Sequence, residues 1–273
     1  RISNVQLVLP GEVVSDDPTS MRGHGTYLLD GKIIASVAGI VEKIGKLLSV
    51  RPLRSRYIGE TGDVVVGRVV EVASTRWKVD VNARQEAVLQ IGAVNLHGGV
   101  HRRRTVDDAL QMRSYFVEND LIVADVQSTY ADGSIALQVP KSYHKLNNGV
   151  FVTVPANLIK RVKSHFCSLS CGIDVILGNN GYIWITPSLT EDEQEERAQD
   201  ETNSWVPKPI AKDTRLNMAR VRNAILVLAQ LFLPVHPATI MYIYNNSLTL
   251  NVSDLLKPEI MEQVSQGIEH VEE

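Results

Sequence analysis

Hydrophobic and polar residues alternate most cleanly around residues 76–82, where Trp77, Val79 and Val81 interleave with Lys78, Asp80 and Asn82. A period of two marks a half-buried strand, apolar side chains on one face and polar ones on the other. Just upstream, residues 64–72 are dominated by valine, opened by Gly62 and Asp63 and separated from the alternating run by a short turn at 73–75. Further strand-like runs follow at 87–91, 120–129 and 134–139. Short strands at this density predict a small OB-type barrel, a fold that binds single-stranded nucleic acid on one face.

The flanking segments read differently. Before the barrel, Pro10-Gly11-Glu12 and Asp30-Gly31 are turn signals, and strands are expected at 27–29, 32–38 and 40–48. The unit is too short to bury a large core, so docking on a partner is expected. Between the third and fourth barrel strands lies an insertion with flexible Gly98-Gly99, basic Arg102 to Arg104, and a helix start at 105–108 reaching Phe116. After the barrel come an expected strand at 149–154 and an expected helix at 156–166. Two apolar runs, 173–177 and 182–185, are joined by Gly178-Asn179-Asn180-Gly181, a hairpin signal because both central residues tolerate positive φ. The segment 212–232 predicts an amphipathic helix with Met218, Val221, Ile225, Leu228 and Phe232 on its buried stripe, ended by Pro234 and Pro237. A last helix begins near Pro258 and carries Ile260, Val264 and Ile268.

Composition narrows this only in part. The 273 residues suit two or three domains, and 44% apolar content supplies their cores. No apolar run reaches the roughly 18 residues of a membrane span. No secretory leader is read, but the chain begins at Arg1 rather than Met, which leaves room for an N-terminal signal that has been trimmed away. Two cysteines, Cys167 and Cys171, make no disulfide framework and point to a reducing compartment. A net charge of −3 argues against a nucleic-acid ligand until the distribution is considered. Residues 133–173 contain no acid but carry Lys141, Lys145, Lys160, Arg161 and Lys163; Arg102 to Arg104 and Arg51, Arg54 and Arg56 form two more cationic groups. Acids gather instead at 191–201. Local potential, not net charge, decides whether phosphate is attracted.

Gly178-Asn179-Asn180-Gly181 matches the GxxG pattern of KH clamps, but its place between two strands favours a structural turn. His165, Cys167 and Cys171, with His144, lack the paired spacing of a zinc site. The acids at 191–196 suit a solvated loop better than a catalytic metal pair. No P-loop, nucleophile elbow, His-Glu-x-x-His or dinucleotide fingerprint is present. No catalytic residue, metal ligand or cofactor is therefore assigned. Trp77 would be either a stacking platform or barrel core. The RNA-binding candidates are Arg76, Lys78 and Arg84 on or beside the second strand, Arg102, Arg103 and Arg104 in the insertion, and Lys160, Arg161 and Lys163 beyond the barrel. Such backbone contacts carry little sequence information.

The order of modules, together with several long segments, resembles one family. The segments are Gly23-His24-Gly25-Thr26-Tyr27, Gly62-Asp63-Val64-Val65-Val66-Gly67-Arg68, Arg76-Trp77-Lys78-Val79, Asn95-Leu96-His97-Gly98-Gly99, Arg102-Arg103-Arg104, Gly178-Asn179-Asn180-Gly181-Tyr182-Ile183-Trp184-Ile185 and Leu256-Lys257-Pro258-Glu259-Ile260-Met261. The chain resembles the eukaryotic RNA exosome cap subunits with S1 and KH domains, the ribosomal RNA-processing protein four family. The fold expected from the resemblance is multidomain, mainly β with α+β. It has an N-terminal β-sheet unit that docks on a ring (residues 1–56), a five-stranded S1/OB-fold barrel (57–140), and a C-terminal KH-type α+β domain (146–273) with an acidic loop at 188–204.

The resemblance implies a non-catalytic cap on a hexameric ring of RNase-PH-like subunits. It would sit beside the other cap subunits and guide RNA 3′ ends to a separate 3′-5′ exoribonuclease, in the nucleus, nucleolus and cytoplasm. One departure stands out. The family's clamp loop would fall near Lys163-Ser164-His165-Phe166, where no glycine allows close approach to phosphate, so RNA contact is expected mainly on the barrel. The competing expectations are an RNA-processing enzyme with a metal-dependent nuclease site at the 191–196 acids, and a free-standing RNA-binding protein of ribosome assembly.

Overall fold

The computed structural model describes residues 6–94, 109–140, 145–162, 164–189 and 209–268. The expected helix start at 105–108, Arg102 to Arg104, His144, Lys163 and the acids at 191–201 lie outside the described residues. The chain divides into two compact units, Arg1–Ser55 and Arg56–Glu273.

The first unit is built of short strands: β1 (Leu7–Val8), β2 (Val13–Ser15), β3 (Met21–Arg22), β4 (Thr26–Leu29), β5 (Lys32–Ala35), β6 (Gly39–Ile44) and β7 (Leu47–Pro52). They form a four-stranded sheet in the order β1-β6-β7-β3 and a three-stranded sheet in the order β2-β5-β4. Asp30 and Gly31, both at positive φ, make the tight β4–β5 turn that the sequence announces. The expected single strand at 40–48 is instead two strands folded on each other, because Gly45 at φ +61 turns the chain and pairs Ile44 with Leu47. The buried core is small: Val8, Ala35 and Val50, with Val14, Val37 and Val41 around them. Leu7, Leu9, Met21, Leu28, Leu29 and Ile44 are exposed, a heavy apolar load for so small a unit.

The second unit opens with the barrel. Strands β8 (Val64–Val72), β9 (Arg76–Asp80), β10 (Ala87–Gln90), β11 (Leu121–Thr129) and β12 (Ile135–Gln138) close in the order β10-β12-β11-β8-β9, the parallel β10–β12 pair sealing the cylinder. Val65, Val69, Trp77, Val79, Leu89, Ile122, Ala124, Ile135 and Leu137 fill it. Trp77 is fully buried; its indole N–H donates to the Phe116 carbonyl at 3.1 Å and its ring meets Phe116 edge-on. It belongs to the core and is not a stacking platform. A short helix, α1 (Met112–Tyr115), closes one end of the barrel with buried Met112.

The KH-type domain follows. Strands β13 (Val150–Thr153), β14 (Phe166–Leu169), β15 (Ile173–Leu177) and β16 (Tyr182–Pro187) form an antiparallel sheet in the order β13-β16-β15-β14. Helices α2 (Lys212–Gln230), α3 (Pro237–Asn246) and α4 (Pro258–Ser265) complete the domain. Met218, Val221, Ile225 and Leu228 of α2 join Val152, Ile173, Val175, Leu177, Ile183 and Ile185 in the largest core. The sheet's other face places Ile176 and Trp184 against Val66 and Val123 of the barrel. Burial on both sides explains why β16 and, apart from Asp174, β15 read as nearly continuous apolar runs rather than alternations.

Two expectations fail here. The described residues of 156–166 are not a helix: a single 3₁₀ turn (Ala156–Leu158) is followed by Ile159, which bridges to Val235, and β14 begins at Phe166. Leu158 and Ile159 are both buried, and the Leu177 N–H donates to the His165 carbonyl, so pairing with neighbouring chain wins over local helix formation. Conversely, Pro237 does more than end α2. It stands at the start of α3, where His236 and Thr239 form a capping box, and this helix was not expected from the sequence.

Candidate nucleic-acid interface

Along β9 the alternation that drives Trp77 and Val79 inward turns Arg76, Lys78 and Asp80 outward; on β10 it leaves Val88 and Gln90 outside. The loop between β11 and β12 stands over this face. Together they make an open groove of about 470 Å³ lined by Arg76, Lys78, Gln85, Glu86, Val88, Gln90, Tyr130, Asp132 and Ser134. The second and third strands of an OB barrel, with the loop between its fourth and fifth, are where such barrels take oligonucleotides.

The loop is fixed from within. Tyr130 N–H donates to Ser134 O at 2.8 Å and Gly133 N–H to Tyr130 O at 2.9 Å. Ser134 donates to Asp132 Oδ1 through its hydroxyl at 2.7 Å and its N–H at 2.9 Å, which holds the Asp132 carboxyl below its usual range. Gln85 Nε2 ties the loop back to the barrel through Asp132 O at 3.0 Å. Tyr130 is exposed and lines the groove, and a tyrosine so placed is of a type that stacks bases. The turn signal Asp132-Gly133 locates this loop in the sequence, but nothing there marks Tyr130 as a rim residue.

The two strand cations differ. Lys78 Nζ lies 2.6 Å from Glu71 and 3.9 Å from Glu86, and the Glu71 contact raises its pKa. Arg76 makes no ion pair among the described residues and lines the same groove. Arg84 is exposed just beyond β9 but is not part of the groove lining. Arg102, Arg103, Arg104 and Lys163 lie outside the described residues. Lys160 is exposed. Arg161 is engaged internally: its guanidinium reaches Glu60 at 2.7 Å and buried Asp63 at 3.1 Å. Arg76 and Lys78 thus share one face, whereas Arg161 lines a separate cleft with Asp63, His165 and Asn179.

The GxxG-like turn is spoken for. Gly181 N–H closes it on Gly178 O at 2.9 Å. Asn180 is fully buried and donates from Nδ2 to the carbonyls of Val66 at 2.7 Å and Val81 at 3.0 Å. Asn82 Nδ2 donates to Asn180 O at 2.9 Å, and Asn179 Nδ2 to Asp63 Oδ1 at 3.0 Å. The Tyr57 hydroxyl also donates to Asp63, at 2.7 Å, and burial, then that bond, raises the tyrosine pKa. A motif that would clamp phosphate elsewhere here locks the hairpin onto the barrel wall. Nor do His165 and the cysteines gather around a metal. His165 Nδ1 lies 2.8 Å from Leu177 O, burial raises both thiols, and no group of three metal-binding side chains occurs among the described residues.

A closed OB-type barrel with an open polar face, sealed by an antiparallel sheet-and-helix domain of KH type, defines an RNA-binding protein of the S1/KH class. The same assignment comes from comparison with known families. The model described as "RRP4, S1 domain" matches residues 56–128, "Exosome complex exonuclease RRP4 N-terminal region" matches 7–44, and "KH domain" matches 149–191. The exosome complex component rrp4 of Schizosaccharomyces pombe is 46% identical over 268 residues, covering 95% of this chain and 82% of that protein. Its counterpart in Bos taurus is 44% identical over 267 residues (97% and 89%), and that of Saccharomyces cerevisiae 41% over 300 residues (97% and 83%). The chain belongs to the RRP4 family of exosome complex components.

Proposed function

We propose that this chain is a non-catalytic cap subunit that passes single-stranded RNA across its barrel face to a 3′-5′ exoribonuclease in the same assembly. The observation that carries the reading is the make-up of the β9–β10 groove. It offers a guanidinium, amides, a hydroxyl and a tyrosine ring, all suited to holding RNA. Its two carboxylates are occupied, Glu86 beside Lys78 and Asp132 by Ser134, so neither stands free as a general base.

Lys78 is largely neutralised by Glu71 and Glu86, which leaves Arg76 as the groove's main phosphate contact, with Arg84 beyond it. Binding by this chain alone is therefore weak and salt-sensitive. Weak holding suits a passage, because a strand that must move on cannot be gripped tightly. Several such modules around one opening supply the missing affinity by avidity. Arg102, Arg103, Arg104, Lys160 and Lys163 are kept as further candidate phosphate contacts in this reading; Arg161 serves mainly as a tie within the unit.

The exposed leucines, Met21 and Ile44 of the first unit support a docking role on a hexameric ring of RNase-PH-like subunits, beside the other cap subunits. The location proposed with this role is nuclear, nucleolar and cytoplasmic. The test is direct: the purified chain is incubated with single-stranded RNA and magnesium or manganese. Intact RNA is expected. Degradation abolished by Asp192→Asn and Glu193→Gln would establish the nuclease reading instead.

A further inference from the structure

Arg68 plays no part in the groove. It stands on β8, exposed, with its guanidinium carbon 5.4 Å from the centroid of the Phe151 ring on β13. Phe151 in turn meets Tyr182 of β16 edge-on, with centroids 4.9 Å apart and planes at 73°. The Tyr182 hydroxyl is pinned by Asp80 Oδ2 at 2.9 Å. Both rings are half-buried in the seam between barrel and KH sheet, so the ledge beneath the guanidinium is rigid.

Asp80 is the cross-strand neighbour of Arg68, but its carboxylate accepts from the Tyr182 hydroxyl and from the Asn82 N–H at 2.9 Å. Among the described residues Arg68 makes no ion pair. An exposed arginine is ordinarily mobile, and ordering it costs side-chain entropy. Here the cation–π contact with Phe151, 5.4 Å from the guanidinium carbon, offsets part of that cost. Stacked guanidinium planes are a recurrent surface for unpaired nucleobases.

Position supplies the rest. Arg76, Lys78 and Asp80 point outward from one strand, at steps of about 6.6 Å. Arg68 lies one strand across from Asp80 on the same outer surface. The groove and the ledge are therefore consecutive stations along β9. We propose that Arg68, backed by Phe151 and Tyr182, stacks a nucleobase of the same single-stranded RNA where it leaves the groove for the barrel–KH seam. The inference rests on the groove being the RNA path.

The experiment uses the full chain and a fluorescently labelled oligouridylate. Arg68→Lys keeps the charge and removes the plane; it should weaken binding on the order of tenfold, the size of one base stack, with an unchanged salt slope. Arg76→Gln should instead reduce the slope. In parallel, the wild-type chain is crosslinked to RNA carrying 4-thiouridine, and an adduct is expected at or beside Arg68, Phe151 or Tyr182. Wild-type affinity in Arg68→Lys, or adducts confined to Arg76, Gln90 and Tyr130, would overturn the ledge and leave the groove standing. No effect from either substitution would remove the groove reading itself. If Arg68→Lys released the chain from its protein complex while RNA binding held, the ledge would be a protein contact and the proposal would fail. Should Arg68→Lys fold poorly, the wild-type crosslink decides alone.

Discussion

Replacing Asn180 by alanine tests the lock between barrel and KH domain. The side chain donates to the Val66 carbonyl at 2.7 Å and the Val81 carbonyl at 3.0 Å, and it also accepts a long bond from Val66 N–H at 3.4 Å. Each short bond contributes about 1 kcal/mol net, and truncation leaves two buried carbonyls without this donor at a further cost of about 1 kcal/mol or more. The sum is about 3 kcal/mol, since Asn180 is fully buried and water cannot substitute freely. For a unit of this size each kcal/mol moves the melting temperature by about 2–4 °C, so calorimetry should record a fall of about 6–12 °C. Asn180→Asp has the same shape and sharpens the argument. It sets a carboxylate against two carbonyl oxygens, so it should cost more than alanine at neutral pH. Its pKa in the folded state would rise above the unfolded value, so part of the missing stability returns as pH falls toward about 4, where the neutral acid's single O–H can donate to one of the two carbonyls. Melting within 1 °C of wild type for Asn180→Ala, or Asn180→Asp milder than alanine at pH 7, would refute the reasoning.

Three further outcomes follow from the same geometry. Gly178→Ala would drive a methyl group into Asn180 Oδ1 and the Tyr182 carbonyl oxygen, and it should cost about 1–3 kcal/mol in denaturant melts without altering the first unit. Trp77→Phe should lower stability by about 1–3 kcal/mol, because the buried Phe116 carbonyl loses its donor, yet leave RNA affinity unchanged; Arg76→Gln and Arg84→Gln should do the reverse, each reducing the salt slope by about 0.7 in a binding titration. Burial, reinforced by a hydrogen bond to Asp80, pushes Tyr182 up to about 12, and Tyr57 is raised as well by burial and Asp63. Both stay protonated in the folded chain while the unfolded chain ionises near pH 10, so stability is full below pH 10 and declines between about 10 and 12. Phenolate absorbance that rises for these two tyrosines before unfolding would contradict it.

The barrel was legible because its strands are short, valine-rich and alternating, and the α2 stripe because 3.6-residue spacing leaves little ambiguity. The 156–166 segment was not, since its partner, Val235, lies far along the chain and no local pattern announces that bridge. Pro237 illustrates a related limit: a proline closes one helix and opens another with the same ring. At the interface, residue type located Arg76 and Lys78 on the right strand, but only geometry shows Lys78 held by Glu71 and Glu86 and Arg161 drawn to Glu60 and Asp63. Tyr130 and Arg68 escaped notice because their roles depend on a loop closing over β10 and on a ring from another domain. The hairpin turn itself was foreseen, whereas its use as a plug depends on two carbonyls on distant strands.

The most direct measurement is the native mass of the particle containing this chain after thorough RNase digestion and a high-salt wash. The account predicts that the chain stays in a large assembly with six ring-type partners, held by protein contacts that include the apolar surface of its first unit. Release as a free monomer would contradict a cap subunit and favour a solitary RNA-binding protein.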